Sequence, residues 1–209
     1  MTVEFHFDFG SPNAYLSHLV IPGIETRTLA AFTYVPVLLG CIFKLTNNVS
    51  PAVANQGVKN KAEYQEREMQ RFLRAHGIIA FKPNPYFPVN TLQIMRAAIV
   101  AEDEGYLQAY ADAVFGHMWA EPKKMDEPEI IKAALDQSGF DGAHILARTQ
   151  EPAIKARLME NTEKSVARGA FGSPTFFVGD EIFFGKDRLV EVEAAIRDGS
   201  AALSSGPQH

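Results

Sequence analysis

The chain has 209 residues, of which 46% are hydrophobic and 22% charged, and its formal net charge is −5. This balance is typical of a globular protein and excludes a basic nucleic-acid-binding surface or a polybasic membrane patch. The single cysteine, Cys41, excludes an internal disulfide and any two-cysteine redox or metal motif, and its apolar neighbours predict a buried, unreactive thiol. The six histidines lack metal-ligand spacing, so no metal site is predicted.

The opening of the chain predicts a βαβ unit. Residues 2–9 alternate apolar and polar side chains as a strand does, and they lack the basic start and long apolar run of a signal peptide. Apolar residues at helical spacing follow the turn 10–12, which places Ser11 at the N-cap and Pro12 in the first turn. Residues 32–37 are a second β-rich run. Because no stretch approaches the roughly 18 apolar residues of a membrane span, we expect a cytoplasmic protein.

The middle of the chain predicts helices and almost no strands. The segment 82–88 contains three prolines and is expected to be irregular. The predicted helices are 60–76, 91–104, 106–119, 128–137 and one or two within 141–168, where Pro152 is the expected joint.

Strands return near the end of the chain. Residues 174–178 and 181–184 predict a β-hairpin, and 187–197 predict a helix capped by Asp187, followed by a frayed tail from Gly199. The element order is therefore βαβ, a block of helices, then ββα. A parallel half and an antiparallel half of this kind combine into one four-stranded sheet, which predicts an α/β protein.

Two segments together carry a family resemblance. Residues 7–16, FDFGSPNAYL, and residues 169–189, GAFGSPTFFVGDEIFFGKDRL, resemble the 2-hydroxychromene-2-carboxylate isomerases. These enzymes are relatives of the kappa-class glutathione transferases within the DsbA-like thioredoxin superfamily. The resemblance covers the whole chain and implies a thioredoxin-like fold with a large all-helical insertion. It implies a thioredoxin-like domain of residues 1–42 plus 169–209 and an inserted helical domain of residues 43–168.

The resemblance implies that Ser11 is catalytic and binds glutathione. Redox members of the superfamily carry Cys-x-x-Cys at this turn, whereas this chain reads Ser-Pro-Asn-Ala, which excludes dithiol chemistry. A hydroxyl at the positive end of a helix can donate to a thiolate. A free thiol has a pKa of about 8.5, and lowering it by about two units takes roughly 2.7 kcal/mol of selective anion stabilisation. Without the resemblance, helix capping alone would explain Ser11.

The second motif implies the remaining glutathione contacts of the thioredoxin-like part. Pro174 is expected to follow a cis peptide bond, and the backbone of Ser173 to pair with the cysteinyl part of glutathione. The alternative is an ordinary trans proline that opens an edge strand. Lys186 and Asp187 are expected at the γ-glutamyl end. Kappa-class enzymes have serine in place of Lys186, which leaves the second contact open, and Asp187 is also expected to cap the last helix.

The resemblance also implies site residues within the helical insertion. Asn48 is expected to contact glutathione, and Asn47 is the alternative. Lys61 is expected to bind the glycyl carboxylate of glutathione, and the alternative is a solvated surface charge. Four residues are expected around the substrate: Lys44, Tyr86, Asn90 and Trp119. The alternatives are helix capping for Asn90 and packing for the two aromatic residues.

The resemblance finally implies an activity. It is the glutathione-dependent isomerisation of 2-hydroxychromene-2-carboxylate to trans-o-hydroxybenzylidenepyruvate in aromatic hydrocarbon catabolism, by a homodimer whose substrate is a small aromatic carboxylate. One alternative is a kappa-type transferase, which conjugates electrophiles and consumes glutathione. The other is a non-catalytic module of thioredoxin-like fold that binds glutathione or a peptide.

Overall fold

A four-stranded mixed sheet joins the two ends of the chain in the computed structural model, which describes residues 2–204 and their side chains up to residue 199. The strands are β1 (Val3–Phe7), β2 (Phe32–Pro36), β3 (Thr175–Val178) and β4 (Glu181–Phe184), in the order β2-β1-β3-β4. β1 pairs parallel with β2 and antiparallel with β3, and β3 pairs antiparallel with β4. The sheet confirms the predicted α/β arrangement of a thioredoxin-like fold.

Helix α1 (Pro12–Thr28) connects β1 to β2, and every helix from α2 to α9 lies between β2 and β3. A short 3-10 turn (Lys186–Arg188) and α10 (Leu189–Ser204) follow β4. The intervening helices are α2 (Leu39–Thr46), α3 (Pro51–Ala54), α4 (Lys61–Ala75), α5 (Leu92–Asp103), α6 (Leu107–Trp119), α7 (Pro128–Gln137), α8 (Gly142–Arg148) and α9 (Pro152–Ala167). None of the helices within residues 2–204 has the length and apolar character needed to cross a membrane.

Helices α2 and α3 were not predicted. The start of α2 has no side-chain cap from its own sequence, and α3 has only four residues, too few for a periodic pattern. The division into residues 1–42 plus 169–209 and 43–168 stays a prediction. Its first boundary falls inside α2.

The last helix differs from its prediction at both ends. α10 continues through Gly199 to Ser204, so the predicted helix end at residue 197 is wrong, and the rest of the expected tail, 205–209, lies outside the described residues. Asp187 is not the helix cap, because it lies inside the 3-10 turn and its carboxylate pairs with the Lys186 ammonium.

An aromatic core joins the sheet to the helical segment. The Phe115 ring of α6 lies 4.7 Å from the Phe9 ring and 5.7 Å from the Phe7 ring, between centroids. On its other side it meets Tyr15 of α1 at 5.9 Å and stacks on the His18 ring at 4.9 Å. Tilted and edge-to-face pairs of this kind add to the stabilisation that burial alone provides.

An ion pair ties α1 to α10 and gives a pH-dependent prediction. Arg27 and Arg197 donate to the Glu193 carboxylate and lower its pKa to about 2. Since the folded pKa lies below the ordinary value of about 4.3, this pair stabilises the fold above that pH and loses its effect as the pH falls toward 2. We expect Arg27→Met to raise the Glu193 pKa part of the way to the ordinary value, measured by NMR titration of its carboxyl carbon. An unchanged pKa would contradict the pairing.

Candidate functional site

The turn between β1 and α1 presents Ser11 at the N-terminus of a 17-residue helix. Its hydroxyl accepts a hydrogen bond from the Ala14 amide at 3.2 Å and donates one to the Ser173 carbonyl at 2.8 Å. Pro12 takes the first helical position, where a missing N–H costs nothing. Ser11 therefore caps α1 and also touches the loop that precedes β3.

The loop before β3 contains the predicted cis peptide bond, between Ser173 and Pro174. The Pro174 carbonyl accepts from the Gly185 amide at 3.0 Å, and the Ser173 hydroxyl accepts from the Asp8 amide at 3.1 Å. Within residues 2–204, the Ser173 amide has no hydrogen-bond partner. Ser173 thus offers a free N–H and a carbonyl, held by Ser11, at one edge of the sheet.

A cleft of about 600 Å³ opens at the Ser11 turn. Its walls come from this turn, from Ser173, from Phe43 on α2, from Pro51 on α3 and from Gln65 on α4. No charged side chain of the described residues lines it, and most of the lining is apolar. The cleft therefore suits a ligand with an extended apolar part and a few neutral polar contacts.

Aromatic side chains form part of the cleft wall. Phe171 and Phe184 contact each other with centroids 4.4 Å apart, and they remain 47% and 37% exposed. Gly172 also lines the cleft, and a Cβ there would come within 2.7 Å of the Phe184 ring. A larger residue at position 172 would displace this aromatic pair.

The predicted glutathione contacts of the helical segment fall into two groups. Asn48 lines the cleft, whereas Asn47 ends α2 in the left-handed conformation, with φ of 55°, and is not in the lining. Lys61 is exposed and begins α4, one turn before the cleft residue Gln65 and on the same helix face. The Lys61 side chain is not part of the lining.

Lys186 and Asp187 lie around a separate pocket of about 220 Å³ rather than in the Ser11 cleft. The Lys186 side chain is 5% exposed, with its ammonium 2.5 Å from the Asp187 carboxylate and 4.7 Å from the centre of the Phe72 ring. Its charge is thus already paired with a carboxylate and an aromatic face.

None of the four predicted substrate residues lines the Ser11 cleft. Lys44 and Tyr86 are exposed. Asn90 lines a separate polar pocket, and its side-chain oxygen accepts from the Leu92 amide at 3.1 Å, although Thr91 rather than Asn90 is the N-cap of α5. Trp119 is 3% exposed, and its indole N–H donates to the Phe9 carbonyl at 2.8 Å, so it is a core residue.

Sequence reasoning missed Asp8, which directly follows β1 and is fully buried. Its carboxylate accepts from the Gly10 and Leu39 amides and from the Thr91 hydroxyl. Burial raises the pKa of Asp8, and these three donors act in the opposite direction. The available signal was an acidic residue between Phe7 and Phe9 in an otherwise apolar strand end.

A second lobe of about 430 Å³, lined by Asp8 and Thr91 among others, shares Gly10, Leu39 and Phe43 with the Ser11 cleft.

Across the described part of the chain, no group of His, Cys, Asp or Glu side chains is placed to hold a metal ion. Cys41 is half-buried on α2, with its sulfur 3.9 Å from the Met159 sulfur, and does not line the Ser11 cleft.

The chain is similar to known proteins over nearly its whole length. Residues 2–197 match the family model of the DSBA-like thioredoxin domain. A 2-hydroxychromene-2-carboxylate isomerase of Pseudomonas putida is 30% identical over 201 residues, covering 94% of each chain. Glutathione S-transferase kappa 1 of Homo sapiens is 25% identical over 202 residues, covering 90% of this chain and 87% of the transferase. A solved structure of a 2-hydroxychromene-2-carboxylate isomerase matches with a TM-score of 0.81 and 28% identity over 98% of this chain and 100% of its own. The chain therefore belongs to the DSBA-like thioredoxin domain family and, within it, to the 2-hydroxychromene-2-carboxylate isomerases, which are related to the kappa-class glutathione transferases.

Proposed function

We propose that the protein is a glutathione-dependent isomerase of the type that converts 2-hydroxychromene-2-carboxylate to trans-o-hydroxybenzylidenepyruvate in aromatic catabolism. The observation that carries the proposal is the Ser11 hydroxyl, which sits at the N-terminus of α1, in contact with the Ser173 carbonyl and on the wall of the cleft. The family membership and the relatives named for this isomerisation support the same reaction.

The cleft fits glutathione in size and in backbone chemistry. Its volume of about 600 Å³ lies within the range of small-ligand sites in proteins. The Ser173 N–H and C=O are the donor and acceptor that an extended cysteinyl residue needs to pair with the loop as an added strand. Asn48 adds a neutral amide further along the lining.

Ser11 changes its hydrogen-bond partner in this proposal. When the cysteinyl N–H of glutathione donates to the Ser173 carbonyl, the Ser11 hydroxyl gives up its 2.8 Å hydrogen bond to that oxygen. It then donates to the sulfur, and the first-turn amides of α1 favour the negative charge. Bound glutathione supplies the thiol nucleophile that permits rotation about a conjugated double bond and is regenerated. The residues of the chain bind it, hold the thiolate and exclude water.

The remaining contacts stay part of the proposal. Lys61 is assigned to the glycyl carboxylate, and Lys186 and Asp187 to the γ-glutamyl end, where the already paired Lys186 acts mainly by holding Asp187 in place. Phe171 and Phe184 are assigned to the aromatic ring of the substrate. The exposure of these two side chains and the apolar lining of the cleft support this assignment, whereas Trp119 is buried.

A kappa-type glutathione transferase is the second candidate function. The uncharged lining of the cleft favours it, because a neutral electrophile needs no cationic partner in the site. The relatives named glutathione S-transferase kappa 1 support the same function.

The proposal also includes a cytoplasmic location, where the thiol pool is kept reduced, and a homodimer.

The glutathione balance during turnover tests the proposal. We expect conversion of 2-hydroxychromene-2-carboxylate to require glutathione, while the concentration of free glutathione stays constant over many turnovers. Stoichiometric consumption with a neutral enone would instead establish the transferase. Turnover that is independent of added glutathione, or calorimetry without binding at millimolar glutathione, would contradict both enzymes and leave a non-catalytic module.

A further inference from the structure

A single buried carboxylate connects the walls of the Ser11 cleft. Asp8 lies three residues before Ser11, and its Oδ1 accepts from the Gly10 amide at 2.8 Å. Its Oδ2 accepts from the Leu39 amide at 2.8 Å and from the Thr91 hydroxyl at 3.1 Å. All three partners are donors, so the ionised carboxylate satisfies each of them.

The three donors belong to separate parts of the chain. Gly10 precedes Ser11 in the β1–α1 turn, Leu39 is the first residue of α2, and Thr91 precedes α5. Helix α2 has no side-chain cap of its own, so the Asp8 carboxylate supplies the acceptor for its first amide. The Asp8 amide also donates to the hydroxyl of Ser173, and the carbonyl of the same residue accepts from the Ser11 hydroxyl.

We infer that Asp8 is a positioning residue, whose ionised carboxylate holds the Ser11 turn, the start of α2 and the start of α5 in fixed positions around the cleft that Ser11 lines. Protonation would remove the negative charge and add an O–H donor, which would weaken the hydrogen bonds that the three donors make to the carboxylate. The neighbouring part of the cleft would then lose its fixed geometry.

Asp8 is the titratable group in its own surroundings. The groups that face it from the β1–α1 turn, α2, the start of α5 and the loop before β3 are amides and hydroxyls. On β1 itself, Glu4 and His6 pair with each other at 2.7 Å, and Arg168 also donates to Glu4. Burial raises the pKa of Asp8, so the carboxylate is protonated at a higher pH than that of an exposed aspartate.

Hydrogen exchange tests this inference without any ligand. In Asp8→Asn we expect amide exchange to rise about tenfold in all three segments, 9–14, 38–43 and 89–95, and nowhere else. In the wild-type protein, exchange corrected for its intrinsic rate should rise in the same segments on acidification, while the variant shows no such pH dependence. Asp141→Asn, at the exposed cap of α8, is the control and should leave the three segments unchanged.

Variants of Thr91 distinguish a positioning role of the Asp8 carboxylate from an effect of bulk packing. Thr91→Val keeps the shape of the side chain and removes the hydroxyl that donates to Asp8, so it should raise amide exchange in the three segments. Thr91→Ser keeps the hydroxyl and should show wild-type exchange. Unchanged exchange in Asp8→Asn, or exchange that rises uniformly over the whole chain, would overturn the inference.

The catalytic consequence rests on the proposed function. If the wild-type protein turns over with glutathione, Asp8→Asn should lower the rate at least about tenfold, while Thr91→Ser retains it. If the wild-type protein shows no glutathione-dependent turnover, the proposed function fails, and the exchange pattern still decides the role of Asp8.

Discussion

Replacing Ser11 with alanine is expected to lower glutathione-dependent turnover at least about tenfold, or about 1.4 kcal/mol in the barrier, between about pH 6 and 8. The alanine keeps the backbone of the turn but removes the hydroxyl that caps α1 and contacts Ser173. The thiol of bound glutathione then loses a charge-assisted donor, so a smaller fraction of it is ionised near neutral pH. Initial rates at saturating glutathione measure the effect.

Two control variants separate the hydroxyl from the helix cap. Ser11→Gly keeps most of the capping stability, since glycine costs only a few tenths of a kcal/mol at an N-cap, but it should lose as much activity as alanine. Asp141→Ala removes the cap of α8, where the carboxylate accepts from the His144 amide at 2.9 Å. It should cost about 1 kcal/mol of stability and leave turnover unchanged. Wild-type rates in Ser11→Ala across this pH range would remove Ser11 from the mechanism.

Phe115→Ala is expected to destabilise the protein by about 3–5 kcal/mol, which is a large share of the roughly 5–15 kcal/mol of a typical domain. The ring is fully buried and contacts Phe7, Phe9, Tyr15 and His18, so its removal opens a cavity between α6, α1 and the sheet. Urea unfolding followed by circular dichroism measures the change in the free energy of unfolding.

The half-exposed Phe171 provides the matched control for this measurement. Phe171→Ala removes the same number of atoms from the cleft wall, where the side chain is about half exposed, and should cost less than about 1 kcal/mol. A loss below about 1 kcal/mol for Phe115→Ala as well would show that α6 does not pack on the sheet as described.

Local signals in the sequence predicted much of the fold. Alternation in 2–9 and the paired runs 174–178 and 181–184 mark strands whose pattern does not depend on distant residues. Pro152 correctly marked the joint between α8 and α9, because proline fits the first position of a helix. Helix α2 escaped prediction because the acceptor for its first amide is Asp8, 31 residues earlier in the chain, and the amide before it donates to Thr162 on α9.

The candidate site was predictable only where a motif fixes the backbone. The turn at Ser11 and the cis peptide bond at Ser173–Pro174 lie together as the family resemblance implied, whereas the residues alone would have favoured a trans bond. Side-chain direction was not predictable in the same way. Trp119 points into the core and Lys186 toward Phe72, since the packing of α4 and α6 decides where these side chains go.

The pKa of the glutathione thiol in the complex tests the central claim most directly. Ultraviolet titration of the thiolate, in the wild-type protein and in Ser11→Ala, measures it without any substrate. We expect the wild-type complex to ionise well below the free value of about 8.5, by about two units, and the variant to return most of the way to that value. Equal thiol pKa values in the two complexes, close to that of free glutathione, would contradict the assignment of Ser11 as the thiolate donor.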